Sequence, residues 1–401
     1  MGWYPHPMLC LYIEGIHFVI NFRERVQGCI AGACIGDALG APTERFSTEE
    51  IKERFGGFVL DIAPPFYADY KNHRPLSPFY KGDGHITDDS MMIESLISVY
   101  GSVGDHLDAY LFADGIIPEL IEKKRYIPEL QREDLLIHRL FFAEKWLVHR
   151  LFYGHVDPRE AGVGNIVNCG AAMYMAPVGV VNAGNPVAAY QEAIEISGAH
   201  QSSFGREAAG AFAACVAQSF VDGTTPIEIA EVAIELSHDG TKAALIDVVK
   251  AAKELSDWRT AIPKLRESFA RFDTMADLYR EPHLDSRKPS RRLSIEEFPI
   301  AIGMLIVAGG KYSDSVLGGV NYGRDADSIA SMAGAMAGAM NGIDSMPSEW
   351  LETVERESKR DFSQIADELV EVTYKIQIED KKRAQRIQDT QMAIFSNLGD
   401  R

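Results

Sequence analysis

The apolar positions of this chain recur at helical spacing. Ile93, Leu96, Ile97 and Tyr100 fall at i, i+3, i+4 and i+7, and Gly101 is read as the end of that helix. Ile329 to Gly338 is a run of good helix formers without a charge, which predicts a helix starting at the acids Asp325 and Asp327. Between Ser102 and Pro299 helical patterns alternate with short Gly, Pro and Asp breaks, and no run of period-two alternation predicts a strand. The expected fold class is therefore all-α. Gly56 to Gly84 is rich in Pro, Gly, Tyr and Asp and has no helical period, so an ordered loop over one end of the domain is expected there. Ser358 to Arg401 is highly charged and helical in composition, which predicts a solvated outer helix.

A pattern of small residues adds tertiary information. Gly28, Gly32, Gly36 and Gly40 recur at every fourth position. Each costs about 1 kcal/mol relative to alanine inside a helix, so the ladder needs a packing reason. Ala330, Gly334, Gly338 and Gly342 repeat the spacing. Two central helices packed against each other are the expected result. Asp37 and the short apolar length argue against a membrane dimerisation motif, and Asp37 reads as a structural acid bonding nearby backbone. Glu44 follows Ala41-Pro42-Thr43, where the chain leaves the helix. An acid there is either functional or solvated surface.

At 401 residues the chain can bury a large core, and its net charge of −18 disfavours a nucleic-acid surface. A basic pocket for a phosphorylated small molecule is still compatible with that charge. Cys10, Cys29, Cys34, Cys169 and Cys215 contain no Cys-x-x-Cys pair and read as reduced thiols of a cytoplasmic protein. The apolar stretch Met8 to Ile20 is broken by Glu14 and His17 and has no basic segment before it, so neither a membrane span nor a signal peptide is expected. His6 stands where a myristoylation signal needs Ser or Thr. Residues 1–22 are expected as a peripheral extension, 23–375 as the main domain and 376–401 as a charged helical tail.

The candidate chemistry lies in two acidic clusters at helix starts. Asn321-Tyr322-Gly323-Arg324-Asp325-Ala326-Asp327-Ser328 is read as ending a loop and opening a helix; Thr87-Asp88-Asp89-Ser90 opens another. One acid suffices to cap a helix, and adjacent aspartates without a counter-charge repel. A calcium loop fails, because Ile329 and Ala330 occupy the fifth and sixth places counted from Asp325. A phosphotransfer Asp-x-Asp is weak, because Gly318 to Arg324 is not an apolar strand. Two carboxylates and a hydroxyl at each start suit Mg²⁺ or Mn²⁺, and together they can hold a pair of ions about 4 Å apart.

Other features carry less. The Gly-rich segment Gly162 to Met173, containing Asn168 and Gly170, can bring backbone N–H groups close to a ligand. His200 begins a further helix and is a candidate for the same pocket, with capping or surface roles equally open. Glu281 to Arg292 is the one locally positive loop, either a lid over an anionic substrate or exposed sequence. His138, His149 and His155 receive no role.

With these motifs in place, the sequence resembles the ADP-ribosylglycohydrolase family, relatives of dinitrogenase reductase-activating glycohydrolase, from about Gln27 to about Gly342. The likeness rests on Gly36-Asp37-Ala38-Leu39-Gly40-Ala41-Pro42-Thr43-Glu44, Thr87-Asp88-Asp89-Ser90-Met91-Met92, Gly170-Ala171-Ala172-Met173 with Pro177, and Gly323-Arg324-Asp325-Ala326-Asp327-Ser328. It implies a single compact orthogonal helical domain with a central cleft, a binuclear magnesium site at its foot, and hydrolysis at C1″ of ADP-ribose. Under that resemblance Thr87, Asp88, Asp89, Asp325, Asp327 and Ser328 match the metal ligands, and Glu44 an acid close to the metals. Gly170 falls in a substrate loop and Gly323 in the loop before the second acid pair. The expected substrate side comprises Asn168, Gly170, His200, Asn321, Tyr322, Gly323 and Arg324. Arg324 departs from the frequent Gly-Gly-Asp-x-Asp, and Tyr174 from the frequent Met-Arg.

The expected mechanism has two metals binding ribose hydroxyls or a water, with Glu44, Asp88 or Asp89 managing the proton. A metal-free two-carboxylate glycosidase explains neither hydroxyl. The rival expectations are a hydrolase of another N-ribosyl or nucleoside-like compound and a non-catalytic, crystallin-like metal-binding relative.

Overall fold

The computed structural model describes residues 21–67, 69, 79–272 and 294–396. The extension before residue 21, the positive loop Glu281 to Arg292, Cys10 and part of the Gly56 to Gly84 segment lie outside the described residues. The helices that build the site are α1 (Phe22–Gly40), α2 (Asp88–Val103), α3 (Ser203–Ser219), α4 (Ser294–Val307), α5 (Tyr312–Tyr322), α6 (Ala326–Asn341) and α7 (Phe362–Ser396). The all-α expectation holds, and shorter helices fill the gaps between them.

Helix α1 starts at a capping box: the Asn21 side chain accepts from Glu24 N–H, and the Glu24 carboxylate accepts from Asn21 N–H. From Arg25 to Gly40 every residue is buried. Its main partner is α6, and the glycines explain how. A Cβ on Gly28 would lie 2.4 Å from the Gly338 carbonyl oxygen, on Gly32 2.5 Å from that of Gly334, and on Gly36 2.3 Å from that of Ala330. The backbones touch along their length, and rising numbers on α1 meet falling numbers on α6, so the pair is antiparallel. A Cβ on Gly40 would meet Asp327 Cα at 2.5 Å. The C-terminal end of α1 is thereby set against the acidic start of α6.

Four details differ from the sequence reading. Helix α2 continues past Gly101 to Val103 and stops at Gly104, whose φ of +72° supplies the left-handed cap; Gly101 faces open space and interrupts nothing. Asn321 and Tyr322 are not loop residues but the last turn of α5. A short antiparallel hairpin, β1 (Lys124–Ile127) and β2 (Arg132–Leu135), pairs Lys124 with Leu135; strands of this length are too short to show a period. Helix α7 is only half solvated: Phe362, Ala366, Leu369, Val372 and Ile376 join the core, whereas Ile387 and Phe395 are exposed. A mixed charged pattern hides a helix that leaves the core midway. Among the described residues, Cys29, Cys34, Cys169 and Cys215 are free, buried thiols, and no helix is long and apolar enough to cross a membrane.

Candidate functional site

The start of α6 is pinned by backbone. Gly323, at φ +79°, comes so close to the Phe46 carbonyl that a Cβ would sit 2.0 Å from its oxygen. Arg324 follows at φ +56°, a conformation a residue with a side chain rarely holds. It is held because its N–H donates to the Phe46 carbonyl at 2.8 Å and its own carbonyl accepts from Arg45 N–H at 2.5 Å. Its guanidinium donates to Glu296 Oε2 at 2.7 Å. The Thr43 hydroxyl donates to the Val320 carbonyl at 2.8 Å. These bonds bring Glu44, on the exit from α1, beside Asp325 and Asp327.

Helix α2 is drawn to the same point by Asp37. Its Oδ2 accepts from the N–H groups of Thr87 at 2.9 Å and Ser90 at 3.2 Å, and from the Ser90 hydroxyl. The reading of Asp37 as a backbone-bonding acid is correct, but the backbone belongs to a different helix and Oδ1 is left with no hydrogen-bond partner.

The acids form linked groups whose ligand atoms lie within 4.8 Å of one another: Asp37, Asp89 and Asp327; Glu44, Asp325 and Asp327; and Cys169, Glu297 and Asp325. Asp327 joins the first two groups and Asp325 the last two. Burial and the charge of Asp327 push the Asp37 carboxyl up to about 7. Burial, then Asp37 and Asp327, raises Asp89 well above the usual carboxylate range; burial, then Asp327, does the same to Asp325. Glu44 is the exception. Burial opposes its charge, but the Lys81 ammonium and then Arg45 outweigh it and hold the carboxyl down at about 2.

Lys81 and Arg139 are the internal cations that sequence reasoning missed. The Lys81 ammonium bonds Glu44 and lies 3.3 Å from Asp327 Oδ2. Arg139 Nη1 pairs with Asp88 Oδ2 at 2.8 Å, and its Nε bonds Glu129, a fully buried acid in the turn of the hairpin. Lys81 had a signal, as the nearest basic residue before Asp88. Arg139 had none, because Asp88 is far from it in the chain and its other partner, Glu129, sits in a hairpin with no readable period.

The expected ligands thus converge, but unequally. Asp89, Asp325 and Asp327 lie in the linked groups. Asp88 does not; it has a guanidinium instead. Thr87 caps α2, its side-chain oxygen 3.4 Å from Asp89 N, and Ser328 Oγ is 3.5 Å from Cys169 Sγ. Asp37 and Glu297 complete groups in which no role was expected for them. The donor chemistry fits a hard divalent cation: carboxylate oxygens predominate, and buried oxygens of Asp37 and Asp89 have no hydrogen-bond partner.

Several expected substrate residues do structural work. Asn321 is fully buried; its amide grips the Val59 backbone from both sides, accepting at 2.8 Å and donating at 2.7 Å. Tyr322 is buried, its hydroxyl donating to Glu296 Oε1 at 2.8 Å. His200 is fully buried behind the Gly-rich segment, where Nε2 donates to the Ala143 carbonyl at 3.0 Å and Nδ1 accepts from the Tyr174 hydroxyl at 3.1 Å. Burial pushes its imidazole down to about 3, which favours the neutral ring whose two nitrogens take part in these bonds. All three sites mix polar type with helix-end position, which sequence cannot separate from a binding role. Asn168 caps the turn Cys169–Tyr174, its Oδ1 accepting from Gly170 N–H at 3.1 Å and Gln201 Nε2 at 2.8 Å. Gly170 leaves room for Glu144, whose Oε1 would be 2.5 Å from any Cβ there. Burial, then the charge of Asp88, raises the Glu144 carboxyl to about 8.

Packed helices around a buried, linked run of carboxylates define the class: an all-α protein whose polar centre is built at paired helix starts. The chain belongs to the ADP-ribosylglycohydrolase family, whose model matches residues 19–378. It is 28% identical over 361 residues to an uncharacterized protein of Archaeoglobus fulgidus, covering 88% of this chain and 98% of that protein. It is 24% identical to an ADP-ribosylarginine hydrolase of Pseudomonas putida, over 82% of this chain and 74% of that one. It is 23% identical to the ADP-ribosyl-[dinitrogen reductase] glycohydrolase of Rhodospirillum rubrum, over 87% and 97%. A solved ADP-ribosylglycohydrolase-related protein complex superposes with a TM-score of 0.58 at 16% identity, covering 88% of this chain and 99% of that chain, and shows the shared fold.

Proposed function

We propose that this protein is a hydrolase that uses divalent cations, Mg²⁺ or Mn²⁺, to cleave the glycosidic bond at ribose C1″ of an ADP-ribosyl group carried by a protein or a small molecule. The observation that supports it is the chain of acids from Asp37 and Asp89 through Asp327 and Asp325 to Glu44, with buried oxygens of the first two lacking hydrogen-bond partners. Such burial is unfavourable without a counter-charge. Asp37, Asp89, Asp325 and Asp327, with Ser328 and Thr87 beside them, would hold the cations. Bound there, divalent cations supply Lewis-acid polarisation of ribose hydroxyls and of water.

Glu44 is the residue suited to take the proton. Its carboxylate lies with those of Asp325 and Asp327, beside where the cations would sit, whereas Asp88 is spent on Arg139. Water adds at C1″, the bond from C1″ to the aglycone nitrogen or oxygen breaks, Glu44 accepts a proton from the water, and the aglycone leaves protonated from solvent. The buried reduced thiols suit a cytoplasmic location.

Glu44→Gln tests the assignment. Turnover of an ADP-ribosylated arginine peptide and of small ADP-ribosyl conjugates should fall by about 10²- to 10⁴-fold, while calorimetry still finds cation-dependent ADP-ribose binding. Near-normal turnover would remove Glu44 from the chemistry. Cation binding without any ADP-ribose binding would point to another N-ribosyl or nucleoside-like substrate.

A further inference from the structure

Glu297 on α4 is 1% exposed, and neither of its carboxylate oxygens has a hydrogen-bond partner in another residue. Its neighbour Glu296 shows what a satisfied acid looks like here, taking bonds from Arg266, Tyr322 and Arg324. Glu297 instead faces Asp325 and Cys169, with one ligand atom of each within 4.8 Å of the others. Cys169 Sγ lies 2.9 Å from Asp325 Oδ2 and 3.5 Å from Ser328 Oγ. A thiol donating to Asp325 would account for Cys169 alone. It leaves the bare carboxylate of Glu297 unexplained, and a buried carboxylate with no partner is costly.

We propose that Cys169, Glu297 and Asp325 form a mixed sulfur–oxygen position for a divalent transition metal, adjoining the oxygen-only groups through Asp325. Donors around one ion at about 2.0 to 2.6 Å span the separation seen here. Thiolate favours Zn²⁺, Fe²⁺ or Co²⁺ over Mg²⁺, whereas carboxylates alone favour the hard ions. Cys169 binds as the thiolate, and its proton leaves to solvent as the metal enters. The inference rests on the cation-binding reading through the shared Asp325, but Cys169 and Glu297 belong to neither of the oxygen-only groups.

The test is titration of Co²⁺ into the reduced, cation-free full chain, read by absorbance, alongside the Mg²⁺-induced rise in melting temperature. Co²⁺ should raise a thiolate-to-metal charge-transfer band in the near ultraviolet. Cys169→Ser should abolish the band and leave the Mg²⁺ response in place, which also shows that the variant is folded. Glu297→Gln should keep the Mg²⁺ response and weaken Co²⁺ binding by about 10-fold or more, since even an outer partner of a ligand is worth that much. A band that survives Cys169→Ser comes from another cysteine and overturns the proposal. A normal Mg²⁺ response with no band overturns the mixed position alone. No binding of either cation overturns it together with the cation-dependent reading of the site.

Discussion

The two ends of the α1/α6 pair bury charge in opposite ways. At one end Arg25, 7% exposed, donates to the backbone carbonyls of Ala339, Phe220 and Ser219 and meets Asp222 at 2.9 Å. Its guanidinium fastens the helix pair to the end of α3. At the other end Asp37, Asp89, Asp325 and Asp327 face one another, and buried oxygens of Asp37 and Asp89 have no hydrogen-bond partner. A buried charge whose bonds are complete is part of the scaffold. One left short within a group of like charges costs stability until a counter-charge offsets it.

The seam between the ends should be the most sensitive place. Gly36→Leu drives a Cβ into the Ala330 carbonyl, now 2.3 Å from that position. Both backbones must move, so a loss of about 3 kcal/mol or more is expected by chemical denaturation. A loss below about 1 kcal/mol would mean that the helices are not in backbone contact. Arg25→Met comes next. It leaves buried carbonyls unpaired at a cost of about 1–3 kcal/mol, yet cation affinity measured by calorimetry should not change. A joint loss of stability and cation binding would erase the distinction between the ends.

The smallest effect has the opposite sign. Asp89→Asn replaces a carboxyl that folding holds protonated among like charges by one that needs no proton, so the cation-free protein should melt higher, by about 2 °C for a gain of 1 kcal/mol, while the Mg²⁺-induced rise is lost. The pH dependence follows the same logic. Asp37, Asp89 and Asp325 hold protons in the folded state that the unfolded chain releases near pH 4, so folding binds protons and cation-free stability falls as pH rises from about 4 through 7. Glu44 acts in reverse, its contribution present above about pH 4 and lost as pH falls towards 2. Melting curves from pH 5 to 8 should therefore decline without cation and decline less with Mg²⁺. A flat cation-free profile would show that the carboxylates already have partners.

Much of this was written locally in the chain. Four-residue glycine spacing is meaningful only for two backbones in contact, and it led to the right pair of helices. Acids at helix starts led to Asp89, Asp325 and Asp327. The same local cues did not show that Asn321, Tyr322 and His200 are buried and bonded within the protein, because a polar residue at a helix end looks alike whether it meets a ligand or ties down its neighbours. Which acids have partners is not local information. Asp37 and Thr87 are 50 residues apart, and Cys169 and Asp325 are 156 apart. Sequence by itself pointed to the main helices, the small-residue faces that let two of them approach and the position of the acid pairs, since each of these is written in neighbours within a turn or two. Only the tertiary structure decided that Arg139 neutralises Asp88, that Lys81 holds Glu44 ionised and that Glu297 stands bare. Charge is balanced across space, among residues that only the completed fold brings within a few ångströms.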